Sequence, residues 1–348
     1  MKISKREIGE KHKPYVIAEI SGNHNGSFLK AKELIDAANW CGVDSVKLQT
    51  FKPELMTLNS SKKEFIVDHT SSKWSKKKLF DLFSKSYTPW EWYPKLKKYC
   101  ERKNIALFSS VFDLKSLKFL ESLDFPAYKI ASFENNDLNL IREIAKKKKP
   151  IIMSTGMASL EEIKKSFNTI KKFLTIEKIA LLKCTSSYPA PIKESNLETI
   201  KDMKKKFKCQ IGLSDHSIGN LASVSAVSLG ATIIEKHICL NKKTGIDSFF
   251  SSTPNEIKKL VEEVNQCWLS KGKVFYGASK SEKKSKKNRR SLFAYKDIKK
   301  NEKLTWKNII SLRPVVGVDS QYYNKVINKF AKKNIKREEP IKLGMIKK

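Results

Sequence analysis

Charge stands in this sequence where charge is costly. Lys47 (Val46-Lys47-Leu48), Lys129 (Tyr128-Lys129-Ile130) and Glu235 (Ile233-Ile234-Glu235) each sit inside a short, mostly apolar run. Burying an unpaired charge there costs roughly several kcal/mol, so these positions point to a task beyond folding. Hydroxyls recur at the ends of such runs, at Ser110, Ser132, Ser154, Ser186 and Ser214. Two ammoniums with neutral hydroxyl donors suit a small phosphorylated acid. No Gly-x-x-x-x-Gly-Lys-Ser/Thr occurs, so a nucleoside triphosphate is not the obvious ligand. Only five histidines exist, and His216 and His237 follow consecutive runs. Two imidazoles plus water and a substrate oxygen would suit a divalent transition metal with open positions. Two hydrogen-bonding histidines without metal are the alternative.

Elements able to hold these groups repeat along the chain. The sequence predicts strands at Tyr15–Ile20, Ser45–Gln49, Ile105–Ser109, Tyr128–Ile130, Ile151–Ser154, Ile179–Cys184, Gln210–Ser214 and Thr232–His237. Amphipathic stretches follow them, with Ala31, Leu34, Ile35 and Ala38 on one face, then Leu160, Ile163, Phe167 and Ile170, and finally Ile257, Leu260, Val261 and Val264. Eight strand–helix units imply an α/β fold, a (β/α)8 TIM barrel, whose active site lies at the carboxyl ends of the strands. An open doubly wound sheet would carry a Gly-x-Gly-x-x-Gly turn, which is absent. The barrel is expected to span 1–270, with an insertion from Pro53 to about Thr88, a linker over 271–290 and a small domain over 291–348. A chain as short as that last segment needs docking to another surface to be comfortably stable.

Composition bounds the rest. The 348 residues include 70 Lys+Arg against 36 Asp+Glu, a net charge of +34, with 40% hydrophobic content. Such a charge attracts anions. The lysines are nevertheless spread over helix faces and turns, and the dense run Lys283 to Arg290 has no zinc-finger, RNP or recognition-helix pattern beside it. Specific nucleic-acid binding is therefore not expected. No apolar run nears the ~20 residues of a membrane span, and the first residues, Met1-Lys2-Ile3-Ser4-Lys5, lack the apolar stretch of a secretory signal. Six scattered cysteines without a Cys-x-x-Cys pair suggest a reducing compartment, hence a cytoplasmic location.

Several of these segments are familiar together. Ala18-Glu19-Ile20-Ser21-Gly22-Asn23-His24-Asn25-Gly26, Val46-Lys47-Leu48-Gln49-Thr50, Tyr128-Lys129-Ile130-Ala131-Ser132, Ser154-Thr155-Gly156, Ser214-Asp215-His216-Ser217 and Glu235-Lys236-His237 resemble the sialic acid synthase family. Residues 291–348, with Ser291-Leu292-Phe293-Ala294 and Arg313-Pro314, resemble its antifreeze-like (SAF) domain, with Asn301 where a turn glycine is usual. The resemblance implies condensation of phosphoenolpyruvate (PEP) with an open-chain acetamido-sugar aldehyde, with release of phosphate. It implies a divalent metal (Mn, Mg or Co) on His216 and His237. PEP would be held by Lys47, Ser110, Lys129, Ser132, Ser154, Ser186 and Ser214. Glu19 would orient or deprotonate water, and Glu235 would steer a histidine or a lysine. Gln49, Tyr188 and Asp247 would contact the sugar, and Arg313 of a partner subunit would reach its acetamido group in a domain-swapped homodimer. Thr57-Leu58-Asn59-Ser60, Thr88-Pro89-Trp90-Glu91-Trp92, Ile130-Ala131-Ser132-Phe133-Glu134 and Cys184-Thr185-Ser186-Ser187-Tyr188-Pro189 point to the branch whose acceptor is 2,4-diacetamido-2,4,6-trideoxy-L-altrose. Synthesis of N-acetylneuraminate or legionaminate, or a basic nucleic-acid-binding barrel, are the alternatives.

Overall fold

The structure, a computed structural model, describes residues 1–68 and 73–347; residues 69–72 of the expected insertion lie outside it. The chain divides into two compact units, Met1–Gly272 and Lys273–Lys348.

A two-stranded hairpin, β1 (Lys2–Ile3) with β2 (Arg6–Glu7), opens the first unit. The barrel strands are β3 (Tyr15–Glu19), β4 (Ser45–Thr50), β5 (Ala106–Val111), β6 (Tyr128–Ile130), β7 (Ile151–Ser154), β8 (Ile179–Cys184), β9 (Gln210–Asp215) and β10 (Ile233–His237). They pair in parallel in sequence order, and β10 closes onto β3. The main helices around them are α1 (Phe28–Cys41), α4 (Tyr93–Arg102), α5 (Leu114–Ser122), α6 (Leu138–Lys146), α7 (Leu160–Lys171), α8 (Thr199–Phe207), α9 (Leu221–Ser228) and α10 (Pro254–Lys271). Two shorter ones, α2 (Pro53–Met56) and α3 (Leu79–Ser86), belong to the insertion after β4.

Local chemistry sets these boundaries. Ser159 and Glu162 form a reciprocal capping box at the start of α7, and Thr253 and Glu256 do the same for α10, with Pro254 in its first turn. Gly42 ends α1 in the left-handed conformation, returning its N–H to the last carbonyls. Of the apolar face expected on α7, Ile163, Phe167 and Ile170 are buried, whereas Leu160 is largely exposed because the helix only begins there.

Strand alternation builds two cores. Val16, Val46, Leu107, Tyr128, Met153, Leu181, Ile211 and Ile234 point outward into the main core shared with the helices. Tyr15, Ile17, Phe108, Ile152, Ala180, Leu182 and Ile233 point inward and fill the barrel. Ile3 and Ile8 of the hairpin join that inner cluster and stop the amino-terminal end of the barrel. The hairpin was not foreseen, because its two-residue strands carry no periodicity. Gly212 sits at the same depth: a Cβ there would collide with the Ile233 carbonyl and lie 2.6 Å from Leu182 Cδ2. Only glycine lets both neighbours fill the middle of the barrel.

The second unit pairs β11 (Ser291–Ala294) with β12 (Ile309–Leu312) over a separate small core of Leu292, Ile298, Leu304, Ile309, Val326, Ile335 and Ile341. Asn301 holds the turn with φ +70°, a conformation asparagine tolerates.

Candidate active site

The last inward-facing residue of seven of the eight barrel strands is polar, and that of β8 is Cys184. Register places Glu19 beside Lys47, Lys47 two residues below Gln49, and Ser110 beside both Gln49 and Lys129. Ser154, Cys184, Ser214, Glu235 and His237 continue the ring. Eight short strands thus carry fourteen of the fifteen expected residues to one rim, on the strand ends or the loops that leave them; Arg313 belongs to the second unit.

Four of these groups form a buried chain of charge. Lys47 Nζ pairs with Glu19 Oε2, donates to Ser110 Oγ at 3.0 Å, and lies 3.8 Å from Glu235 Oε1. Lys129 Nζ lies 3.7 Å from the same Glu235 oxygen and donates to Ser154 Oγ at 2.6 Å. Ser214 Oγ donates to Glu235 Oε1 at 3.2 Å, so Glu235 links the two lysines rather than steering a histidine. Burial pushes the Glu19 carboxyl up, against the opposing pull of Lys47. Burial also works against the Lys47 charge, but Glu19 and Glu235 hold its ammonium above the usual lysine value. Lys129 is held below that value by burial, with Glu235 only partly compensating. The two cations are therefore unequal: Lys47 has its counter-ion within the protein, and Lys129 gains most from an anion supplied by a ligand.

Above this layer stand the two histidines, with ring centroids 5.3 Å apart. His216 Nδ1 lies 3.1 Å from the Thr185 carbonyl and 3.8 Å from Cys184 Sγ. His237 Nδ1 is buried without a hydrogen-bond partner, and burial, with His216 nearby, holds its ring well below the usual histidine range. A neutral imidazole with an unused nitrogen is what a metal requires. Among the described residues no group of three or more His, Cys, Asp or Glu could hold a metal, so a cation here would take two protein ligands and complete its shell from water and substrate.

The loops after the strands complete the rim. Asn135 Nδ2 donates to the Gly156 carbonyl at 3.1 Å, and Gly156 N donates to Ser132 Oγ at 3.1 Å. A Cβ on Gly156 would lie 2.7 Å from Ser132 Oγ and overlap Ser186 Oγ, so the glycine keeps open a cradle between two hydroxyls. Asn23 accepts from Asp247 N at 3.1 Å and donates to Ile238 O at 2.8 Å, fixing the loop that carries Asp247. Burial pushes the Asp247 carboxyl up to about 7. Tyr188 packs on His216 at 4.5 Å between centroids.

Three residues near this site were not foreseen. Cys184 faces inward between Ser186 and His216; burial raises its thiol, but His216 brings it down to about 6. Alternation along β8 could have revealed it. Glu134, in the helical turn after Ser132, has a buried and unpartnered Oε2, and burial raises its carboxyl to about 7. Asn23 looks like an ordinary loop residue, and only the fold brings it to Asp247.

Comparison with known proteins shows the family. Residues 34–276 match the NeuB family, and residues 289–347 match the SAF domain. The chain belongs to the NeuB family. This NeuB-family chain is 43% identical over 336 residues to pseudaminic acid synthase of Campylobacter jejuni subsp. jejuni, covering 95% of this chain and 96% of that one. It is 40% identical to pseudaminic acid synthase of Helicobacter pylori, covering 94% and 96% of the two chains. Among solved structures, N-acetylneuraminic acid synthetase from Leptospira borgpetersenii superposes with a TM-score of 0.72 at 29% identity, over 82% of this chain and 94% of that one.

Glu134 generates a test of the site's electrostatics in the NeuB-family chain. Its folded-state value of about 7 exceeds the ordinary 4.5. The folded state therefore binds the proton more tightly. Its stabilising effect is complete below pH 4.5 and is lost as pH rises through 7. Glu134→Gln should raise the unfolding free energy above wild type by about 1–2 kcal/mol at pH 8, and the difference should vanish near pH 4.5. Urea melts at the two pH values measure this.

Proposed function

We propose that this chain condenses PEP with 2,4-diacetamido-2,4,6-trideoxy-L-altrose and water, giving pseudaminate and phosphate. The observation that carries this reading is the buried pair Lys47 and Lys129, ringed by hydroxyls and set below two imidazoles, in a family member that resembles pseudaminic acid synthases along nearly its whole length. N-acetylneuraminate or legionaminate synthesis uses the same chemistry on another acceptor, and the aromatic side chains around Tyr188 favour the more apolar deoxy sugar.

In this mechanism Lys129 and Lys47 neutralise the phosphate and carboxylate of PEP, and Ser110, Ser132, Ser154, Ser186 and Ser214 donate neutral hydrogen bonds to them. Glu235 keeps both ammoniums on the ligand side of the ring. The π electrons of the enol ester form the new bond from C3 of PEP to the aldehyde carbon, whose oxygen takes a proton. Water then adds at C2, giving by way of Glu19 the proton that the aldehyde oxygen takes, and the resulting tetrahedral carbon collapses to a ketone as its C–O bond to phosphate breaks and its hydroxyl proton leaves with the phosphate. His216 and His237 would hold a divalent metal (Mn, Mg or Co), which when bound polarises a carbonyl as a Lewis acid. Gln49, Tyr188 and Asp247 orient the sugar.

The second unit fits a capping role across a domain-swapped homodimer. Arg313 lies with Arg289, Arg290 and Gln321 around one concave surface of that unit. On the barrel, Phe133, Met157, Ile192 and Ile218 are exposed in the segments that follow β6, β7, β8 and β9, as is Leu221 at the start of α9. An apolar collar around a site mouth suits cover by a second copy. Six free cysteines, together with the absence of any described helix long and apolar enough to cross a membrane, fit a cytoplasmic enzyme.

Phosphate release with PEP and Mn²⁺ tests the reaction. Turnover with the diacetamido sugar is expected; turnover with N-acetylmannosamine alone would contradict the acceptor. His237→Ala should lower activity by at least about 100-fold and weaken Mn²⁺ binding, read independently by calorimetry. For the dimer, Lys129→Met and Arg313→Ala should each be inactive. Mixed and reassorted, they should recover about a quarter of the wild-type sites, because half the dimers then hold one intact site. No recovery would argue that Arg313 serves its own barrel.

A further inference from the structure

The reaction leaves the insertion after β4 without a task. Its docking is nevertheless specific. Phe51 and Phe83 meet edge to face at 5.6 Å. Thr88 Oγ1 and His24 Nε2 lie 3.0 Å apart in a buried contact. A Cβ on Gly22 would come within 2.7 Å of Ser86 Cβ and 2.5 Å of Ile246 Cγ2, so α3 and the Asp247 loop both press against the loop after β3. The end of the insertion that includes α3 is thus fixed to the parts of the rim that carry Glu19 and Asp247.

From that anchor it sends one large ring toward the site. Trp74 Nε1 donates to the Ile246 carbonyl at 3.1 Å, next to Asp247. Its ring lies 5.5 Å from Tyr188, 5.5 Å from Phe249 and 6.1 Å from Phe250. Tyr188 in turn contacts His216 at 4.5 Å, and Phe250 contacts His237 at 4.8 Å. A continuous aromatic surface therefore runs from both imidazoles to the insertion. Carboxylates and hydroxyls surround the two lysines, whereas the aromatic surface adjoins the two imidazoles, where the sugar would sit.

We propose that Trp74, backed by Tyr188, Phe249 and Phe250, is the wall that selects the acceptor by its methyl groups. This rests on the reaction proposed above. The diacetamido, 6-deoxy acceptor presents two acetamido methyls and the C6 methyl, whereas N-acetylmannosamine has one acetamido methyl and carries hydroxyls at C4 and C6. Aromatic rings reward a methyl and leave a hydroxyl without a partner. A methylene-sized difference in an apolar pocket is worth about 10- to 200-fold in discrimination. Trp74 is a specificity residue on this account, with no part in moving protons or phosphate.

Steady-state phosphate release by full-length, Mn²⁺-loaded protein tests it, with Trp74→Ala and Trp74→Phe beside wild type. The expected result is a rise in KM for the diacetamido sugar of at least about tenfold in Trp74→Ala, with KM for PEP and kcat within about threefold. Trp74→Phe should recover most of the loss. An unchanged sugar KM in Trp74→Ala, or a parallel rise in KM for PEP that reports general distortion, overturns the wall while leaving the reaction in place. Wild-type protein that turns over N-acetylmannosamine and not the diacetamido sugar overturns the underlying reading, and methyl selection with it.

Discussion

The chain of charge Glu19–Lys47–Glu235–Lys129 is the constraint that organises the barrel. Each member is almost wholly buried, and none is tolerable alone in a low-dielectric interior. Well-packed apolar residues of the same volume would be as stable or more so. Holding four charges in register therefore requires a rigid frame, supplied by a closed ring of parallel strands whose inner faces are mostly apolar toward their amino ends and polar toward their carboxyl ends. Alternate positions keep two ion-pair systems apart. Glu235 and His237 face the site, while the intervening Lys236 points away and pairs with Asp215 at 2.8 Å, where Ser223 of α9 also bonds to the carboxylate. One pair serves the ligand, and the other fastens a helix to the sheet.

The strand order, and most of the rim, were readable from the chain because one rule governs both. A strand buried on both faces must be apolar throughout, so Lys47, Lys129 and Glu235 stood out as exceptions. Bounds differ from expectation by one or two residues, as at β5, which runs on to Val111, and β9, which runs on to Asp215. What could not be read depends on contacts distant in sequence. Asn23 and Asp247 are separated by more than two hundred residues, and the stopper made by Ile3 and Ile8 has no pattern of its own. Glu134 sits in a single helical turn, where neither the strand nor the helix period applies.

The surplus of lysine has little to do with either. Many of the surface lysines are engaged in ion pairs, as Lys97–Glu101, Lys147–Glu121 and Lys164–Glu161 show, and such exposed pairs contribute only about 0–1 kcal/mol each. Several lie in the last turns of helices, where a cation complements the carbonyl end of the dipole: Lys146 on α6, Lys171 on α7 and Lys204 to Lys206 on α8. The positive field they add would speed the approach of an anionic substrate without taking part in its recognition.

The stoppered end of the barrel also makes the site a well with a single opening. The lysine layer lies at the bottom of that well, and the groups suited to a sugar stand above it. A small anion reaching the lysines has to pass the level of the two imidazoles. On the reaction proposed above, depth then separates the two substrates: the place of the three-carbon acid lies beneath that of the sugar.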